Sequence, residues 1–264
     1  MTNRKTIVLK FGGSVLHSQA DFPTIAHEIQ RFSNQGYSVI AVLSAYYGKT
    51  ERLIAQATEQ QIATDSVAYA EMVARGEYQS TADLVAYLVL HDIPAALRTP
   101  ADFDFFASGS RTSAAPVSIC ADKIRQATDA HPVIVMPGFS AVDELGECVL
   151  LGRGGSDISA VCLADALGLE SVRLLKDVDG LYDRDPNKNS AAQRYACVDY
   201  ITAIRIGGEL VQEEAVRFAQ NKDIGIDIAG ISRTYSTRVG TNASQLVDEQ
   251  TSTPRMDTAY QAAC

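Results

Sequence analysis

The chain has 264 residues, 46% hydrophobic and 21% charged, enough to bury a large core as one α/β unit or as two lobes. A formal charge of −9, with no local Lys/Arg cluster to offset it, sets the surface against nucleic acid and anionic lipid. Five scattered cysteines (Cys120, Cys148, Cys162, Cys197 and Cys264) fit neither a disulfide framework nor a zinc spacing, so reduced thiols in a cytoplasm are expected.

In chain order, residues 1–5 run directly into the apolar residues 6–9 (TIVL), which are broken by Lys10. That is not a secretion signal, and no apolar run approaches the ~20 residues that span a bilayer. Residues 6–9 read as a buried strand breaking into the glycine turn Lys10-Phe11-Gly12-Gly13-Ser14. Asp21 is placed to cap a helix with Ile25, Ile29 and Phe32 on one face, stopping near Gly36. Residues 37–43 (YSVIAVL) form a second buried strand ending at Ser44-Ala45, which completes a parallel βαβ unit.

Residues 50–91 carry helical spacing, as in Leu84 with Leu88, and residues 93–97 suit a strand. Residues 99–116 (TPADFDFFASGSRTSAAP) lack any period and read as a long surface or lid segment, a kind that is often functional. Residues 132–136 (PVIVM) are a core strand stopped by Pro137-Gly138-Phe139. From Gly152 the pattern returns: a glycine turn, a helix with Ala160, Val161, Ala164 and Leu167 on one side, an end at Gly168, and a strand over 171–175. Residues 207–223 read as helix, 224–229 as strand, and 251–264 as a polar, loosely held tail. The pattern predicts an α/β fold with a mainly parallel central sheet sandwiched by helices.

Three segments hold residue types that suit a phosphate. In Lys10-Phe11-Gly12-Gly13-Ser14, the glycines allow close backbone approach and an anion-binding nest, and Lys10 adds a compact charge. A tight turn with a surface lysine would look the same. In Gly152-Arg153-Gly154-Gly155-Ser156-Asp157, amides, a guanidinium and a carboxylate gather at a helix N-terminus, a natural anion site. A simple turn capped by Ser156 or Asp157 explains the cap residues but not an arginine among glycines. Residues 176–186 follow a strand, and in open α/β sheets ligands lie beyond the strands' carboxyl ends. Within them, Asp183 and Arg184 read individually as a hydrophilic turn.

In order and spacing these segments resemble the aspartate kinases of the amino acid kinase superfamily, over roughly residues 5–245. That family typically shows Lys-Phe-Gly-Gly-Thr-Ser, then Gly-Arg-Gly-Gly-Ser-Asp, then Asp-Val-x-Gly-Tyr-x-x-Asp-Pro. Ser44-Ala45 with Thr50, Arg75-Gly76-Glu77 with Ser80-Thr81, and Gly138-Phe139 resemble its substrate segments. The resemblance implies Lys10 and Asp157 as catalytic groups and Ser44, Thr50, Glu77, Phe139, Arg153 and Ser156 around the acceptor. It implies Gly12, Gly13, Ser14, Gly154, Gly155, Lys176, Asp177, Tyr182, Asp185 and Pro186 around the nucleotide. A two-lobed catalytic unit over residues 1–250 is then expected, with the acceptor lobe ending at about residue 150.

The implied reaction is ATP-dependent phosphorylation of L-aspartate to 4-phospho-L-aspartate, with Mg2+ carried by the nucleotide, no metal site in the protein itself, and a homodimer. An acceptor carboxylate with a pKa near ~4 is already ionised, so it needs charge neutralisation and positioning rather than a general base. Arg153 would grip the α-carboxylate, Glu77 the α-ammonium, and Asp157 would hold Lys10. The chain also departs from the pattern. The family's threonine is missing between Gly13 and Ser14, Asn187 follows Asp185-Pro186 in place of Arg, and no ACT regulatory domain is expected. Glu209 stands where a phosphate-binding lysine is usual and would oppose ATP if it faced the cleft. Another small carboxylate, a phosphate or a carbamate as acceptor, or a non-catalytic ligand-binding homologue, are the alternatives. Glu77 favours an amino acid.

Overall fold

A computed structural model describes residues 4–247 except 187 and 209. Strand β1 (Lys5–Phe11) buries Val8, Leu9 and Phe11 completely, each side chain contributing about 1.5–3 kcal/mol. Helix α1 (Phe22–Asn34) returns the chain to β2 (Tyr37–Leu43), which pairs in parallel with β1 from Lys5 beside Tyr37 to Phe11 beside Leu43. Ile25, Ile29 and Phe32 face this pair as their spacing predicts. Asp21 does not cap α1. Its carboxylate accepts from the His17 and Ser18 N–H groups at 2.7 and 3.1 Å, closing the preceding turn, and Pro23 opens the helix.

The chain continues through α2 (Lys49–Glu59), α3 (Val67–Leu90), β3 (Ala95–Leu97), β4 (Phe106–Ser110), β5 (Ser113–Ser118), α4 (Ala121–Ala130), β6 (Val133–Pro137), β7 (Ser140–Val142) and β8 (Cys148–Leu150). Then follow α5 (Gly155–Leu167), β9 (Ser171–Lys176), β10 (Tyr195–Asp199), α6 (Tyr200–Gly207), α7 (Glu213–Lys222), β11 (Gly225–Gly230), β12 (Thr237–Gly240) and β13 (Gln245–Leu246).

The large sheet has the order β13-β10-β12-β11-β9-β1-β2-β6-β3. Its neighbours pair in parallel except β10 with β13 and β11 with β12, so the α/β reading stands. Helices α4, α5 and α7 pack on one face, and α1 and α3 on the other. The core on the α5 face joins Val8 and Ile40 to Val172, Ile226 and Val239, so apolar packing runs unbroken through both halves of the chain. Strand β1 lies between β2 and β9, where the strand order reverses, and a crevice opens beyond carboxyl ends at such a reversal.

Two elements differ from the sequence reading. Residues 99–116 are not an irregular lid: Phe103 and Phe105 are 1% and 0% exposed, and β4 and β5 form an antiparallel hairpin. With β7 and β8 it makes a separate four-stranded sheet. The stretch expected as a helix over 207–223 is broken, because α6 ends at Gly207 and α7 begins at Glu213. Cys120, Cys148 and Cys162 are free thiols, the Cys197 thiol donates to the Ala243 carbonyl at 3.4 Å, and Cys264 and the tail lie outside the described residues. No described helix is long and apolar enough to cross a membrane.

Candidate active site

Lys10 lies near the end of β1, and Asp157 in the first turn of α5, which packs across that strand. Lys10 Nζ meets Asp157 Oδ1 at 2.5 Å, with side chains only 6% and 3% exposed. Lys176 closes β9 and brings its ammonium to 3.8 Å from Asp157 Oδ2, also buried. The register explains the meeting: Lys10 stands beside Leu174, and Lys176, two residues further, points to the same side. Burial opposes the charge on Asp157, but the Lys10 and Lys176 ammoniums outweigh it and hold the carboxyl below its ordinary range. Burial pushes Lys176 down to about 8, with Asp157 pulling upward and Lys10 adding to the depression. A carboxylate held ionised between two cations orients them and is a weak proton acceptor.

Glu77, midway along α3, is 4% exposed and so is no solvated helix carboxylate. Ser156 Oγ donates to Glu77 Oε1 at 2.7 Å and lies 3.2 Å from Ser44 Oγ, which donates to it. Burial lifts Glu77 to about 8, although the Ser156 hydroxyl, the Lys10 charge and the Gly138 and Ala45 N–H groups pull it back. Its Oε2 makes no hydrogen bond of good geometry. Ser156 and Asp157 are consecutive, so one turn of α5 joins the cation cluster to the carboxyl chain.

The glycines are where side chains have no room or would obstruct. A Cβ on Gly12 would stand 3.4 Å from Lys10 Nζ and 3.7 Å from Lys176 Nζ, so its absence keeps open the space beside both ammoniums. Gly154 opens α5 at φ +68, a left-handed conformation suited to glycine. No side chain caps that helix, so Ser156 and Asp157 reach across the cleft instead of satisfying its first turn. Gly155 lies under Phe139, whose Cδ2 would be 2.8 Å from an added Cβ, and Phe139 itself sits at φ +50, uncommon for an aromatic residue. Gly13 and Ser14 form the turn after β1, with the Ser14 hydroxyl buried and unpartnered. Thr50 is half-buried in the first turn of α2, and Arg153 is exposed.

Asp177 is exposed just beyond β9, and Tyr182 donates from Oη to Asp179 Oδ1 at 2.6 Å. Asp185 and Pro186 lie exposed on the same outgoing turn, with Lys188 Nζ 3.3 Å from Asp185 Oδ2. Asp183 pairs with Arg184 at 2.7 Å on the surface, as a hydrophilic turn would. The structure thus gathers Lys10, Gly12, Ser44, Glu77, Ser156, Asp157 and Lys176 by direct contact. Asn187 and Glu209 lie outside the described residues.

Two supporting positions are not among the residues expected around the acceptor or the nucleotide. Ser80 Oγ lies 2.8 Å from Ser44 O and 3.0 Å from Glu77 O, pinning α3 to the end of β2. Its neighbourhood to Glu77 in the Glu77…Ser80-Thr81 segment was the available signal. Gln212 packs so closely on the Gly154 turn that an added Cβ there would be 2.8 Å from Gln212 Cβ, a contact no local pattern announces.

Residues 5–230 match the amino acid kinase family. The chain is 33% identical over 219 residues to an aspartate kinase of Stutzerimonas stutzeri (strain A1501), covering 81% of this chain and 52% of that protein. It is 32% identical over 253 residues to an aspartate kinase of Pseudomonas fluorescens (strain SBW25), covering 93% and 60%. Among solved structures, Escherichia coli aspartokinase III in complex with aspartate and ADP has a TM-score of 0.75 at 21% identity, over 90% of this chain and 65% of that one, a likeness of fold. The chain spans between half and two thirds of the length of these relatives. With the family match covering most of its length and the lysine–aspartate cluster seated where the strand order reverses, the chain belongs to the amino acid kinase family.

Proposed function

We propose that this chain transfers the γ-phosphate of ATP to the side-chain carboxylate of L-aspartate, giving 4-phospho-L-aspartate. The observation that carries the reading is the junction of two unlike groups in one buried cleft. Lys10 and Lys176 around Asp157 suit a polyphosphate, and Glu77 on Ser156 and Ser44 suits an ammonium. A nucleotide or carbamate acceptor would give Glu77 no cation to meet.

The acceptor carboxylate is ionised at neutral pH, so the barrier is the approach of one anion to another. Lys10 neutralises the transferring group, and Asp157 holds Lys10 in place. The N–H groups of Gly12, Gly13, Gly154 and Gly155, with Ser14, cradle the phosphates. Arg153, exposed at the opening of α5, is free to take the α-carboxylate as a fork. Glu77 takes the α-ammonium, Ser44, Ser156 and Thr50 add hydrogen bonds, and Phe139 closes against the substrate. Asp177, Tyr182, Asp185 and Pro186 frame the nucleotide. In this reading residues 1–150 form the acceptor lobe and residues 151–250 the nucleotide lobe, with residues 10–14 reaching across to the phosphates and Arg153 and Ser156 to the acceptor.

Mg2+ would arrive on the nucleotide and neutralise phosphate charge. Among the described residues no group of three or more His, Cys, Asp or Glu is placed to hold an ion unaided, and Asp177 is the exposed carboxylate beside Lys176 that could face a phosphate-bound one. The test is hydroxylamine trapping with the purified chain, MgATP and L-aspartate. Formation of the aspartyl hydroxamate is expected, with a fall of about 10²-fold or more in Lys10→Ala. Turnover with another acid, phosphate or carbamate but none with aspartate would reassign the acceptor. No nucleotide binding by calorimetry would leave a ligand-binding homologue.

A further inference from the structure

Lys10, Lys176 and Asp157 are all buried, and together they leave one positive charge in excess. The short contact belongs to Lys10. Lys176, at 3.8 Å from Oδ2, stands outside hydrogen-bond distance and has no other carboxylate within ion-pair distance among the described residues. Glu77 offers no relief, since it is bonded to Ser156. A desolvated ammonium with half a counter-ion is costly to keep unless an anion completes it. The room for one is at hand, because the bare Cα of Gly12 leaves clear the space beside both ammoniums.

The geometry points to Lys176 as a second clamp on the transferring phosphoryl group, acting opposite Lys10 and completed only when phosphate oxygens enter the space over Gly12. This rests on the kinase reading and gives it a further catalytic residue. In the step itself, the bond from the γ-phosphorus to its bridging oxygen breaks, its electron pair leaving on ADP. A carboxylate oxygen of the acceptor forms the new bond to phosphorus. No proton moves between the reactants, so Lys176 contributes only as a charged ammonium. Lys10 of β1, Asp157 of α5 and Asp177 just beyond β9 are the charged groups around it. Burial, and then Lys10, lower the free ammonium to about 8 against the pull of Asp157 and Asp177, and phosphate oxygens beside it would raise that value.

The rival role is structural: Lys176 merely helps fasten α5 to the sheet through Asp157. Two variants of the full chain, Lys176→Gln and Lys176→Arg, separate the roles. For the clamp, Lys176→Gln lowers kcat by about 10²-fold with a melting temperature equal to or above wild type, and Lys176→Arg recovers part of the rate. In calorimetry with the non-hydrolysable nucleotide Mg-AMP-PNP, wild type takes up a substantial fraction of a proton at pH 8.5 and none near pH 6.5, where the ammonium is already charged. Lys176→Gln shows no uptake at either pH.

A Lys176→Gln enzyme with wild-type kcat, or one that takes up the proton as wild type does, overturns the assignment. Because the uptake measurement on wild type stands by itself, its absence at pH 8.5 overturns the assignment even if the glutamine variant does not fold. Wild type that turns over while Lys176→Gln does equally well defeats the clamp alone. Wild type that binds no nucleotide defeats the clamp and the kinase reading together.

Discussion

A carboxyl raised to about 8, as Glu77 is, remains protonated in the free protein at neutral pH. A group whose folded pKa lies above its unfolded value, ~4.3 here, stabilises fully below the lower value, and that contribution is lost as pH rises through the higher one. Glutamine copies the protonated form. The melting temperature of Glu77→Gln should therefore match wild type near pH 4 and exceed it increasingly towards pH 8. The same variant should raise KM for aspartate by about 10-fold or more, because the carboxyl can ionise when an ammonium arrives beside it and the amide cannot. Melting curves whose separation does not change with pH would remove the buried-proton account. Asp157 predicts the opposite sign. Asp157→Asn leaves two buried ammoniums facing each other and should cost about 3 kcal/mol in urea unfolding, besides most of the activity.

At the scale of elements, Gly12 and Gly155 separate function from folding. Gly12 has extended backbone (φ −80, ψ 167) that alanine adopts freely, and the atoms nearest its Cβ would be those of the Lys10 and Lys176 side chains, at 3.4 Å and beyond. Gly12→Ala should keep its melting temperature within a few degrees yet weaken nucleotide binding about 10-fold, read by calorimetry. Gly155→Ala would press on Phe139 Cδ2 at 2.8 Å, Leu151 Cβ at 3.0 Å and Phe139 Cα at 3.1 Å. It should lose about 1–3 kcal/mol of stability, seen as a lower urea midpoint.

The elements that build the cleft were legible because buried parallel strands are continuous apolar runs, and glycine turns punctuate them. Lys10, Asp157 and Glu77 stood in segments whose order and spacing were distinctive. The β4–β5 hairpin was not legible, since along Phe106–Ser110 and Ser113–Ser118 its inward residues are alanines, Ala107 and Ala114, too small to mark an alternation. Strands β10, β12 and β13 were missed for a related reason: five, four and two residues long, they carry polar residues within them. Gln212 on Gly154, and the hydroxyls between Ser44 and Glu77, are products of packing and leave no periodic trace.

On the scale of the whole molecule, one apolar core ties the strands of both halves together, so ligand binding at the cleft stabilises the entire fold by mass action. Nucleotide at 100 times its dissociation constant adds about 2.7 kcal/mol. For a chain of this size that corresponds to a rise of about 5–10 °C in melting temperature. Differential scanning calorimetry with and without MgADP measures it, and an unmoved transition at saturating nucleotide would contradict the cleft's assignment. The β4–β5 hairpin sets a further boundary condition. Its tip is tethered: Arg111 pairs with Asp143 at 2.7 Å and Glu147 at 3.0 Å, and its carbonyl accepts from the Leu150 N–H at 2.9 Å. Ser113 lies against the Gly152 turn, where an added Cβ would be 2.8 Å from its hydroxyl. A ribbon moored both at its far end and against the Gly152 turn behaves as a fixed wall of the molecule and not as a lid.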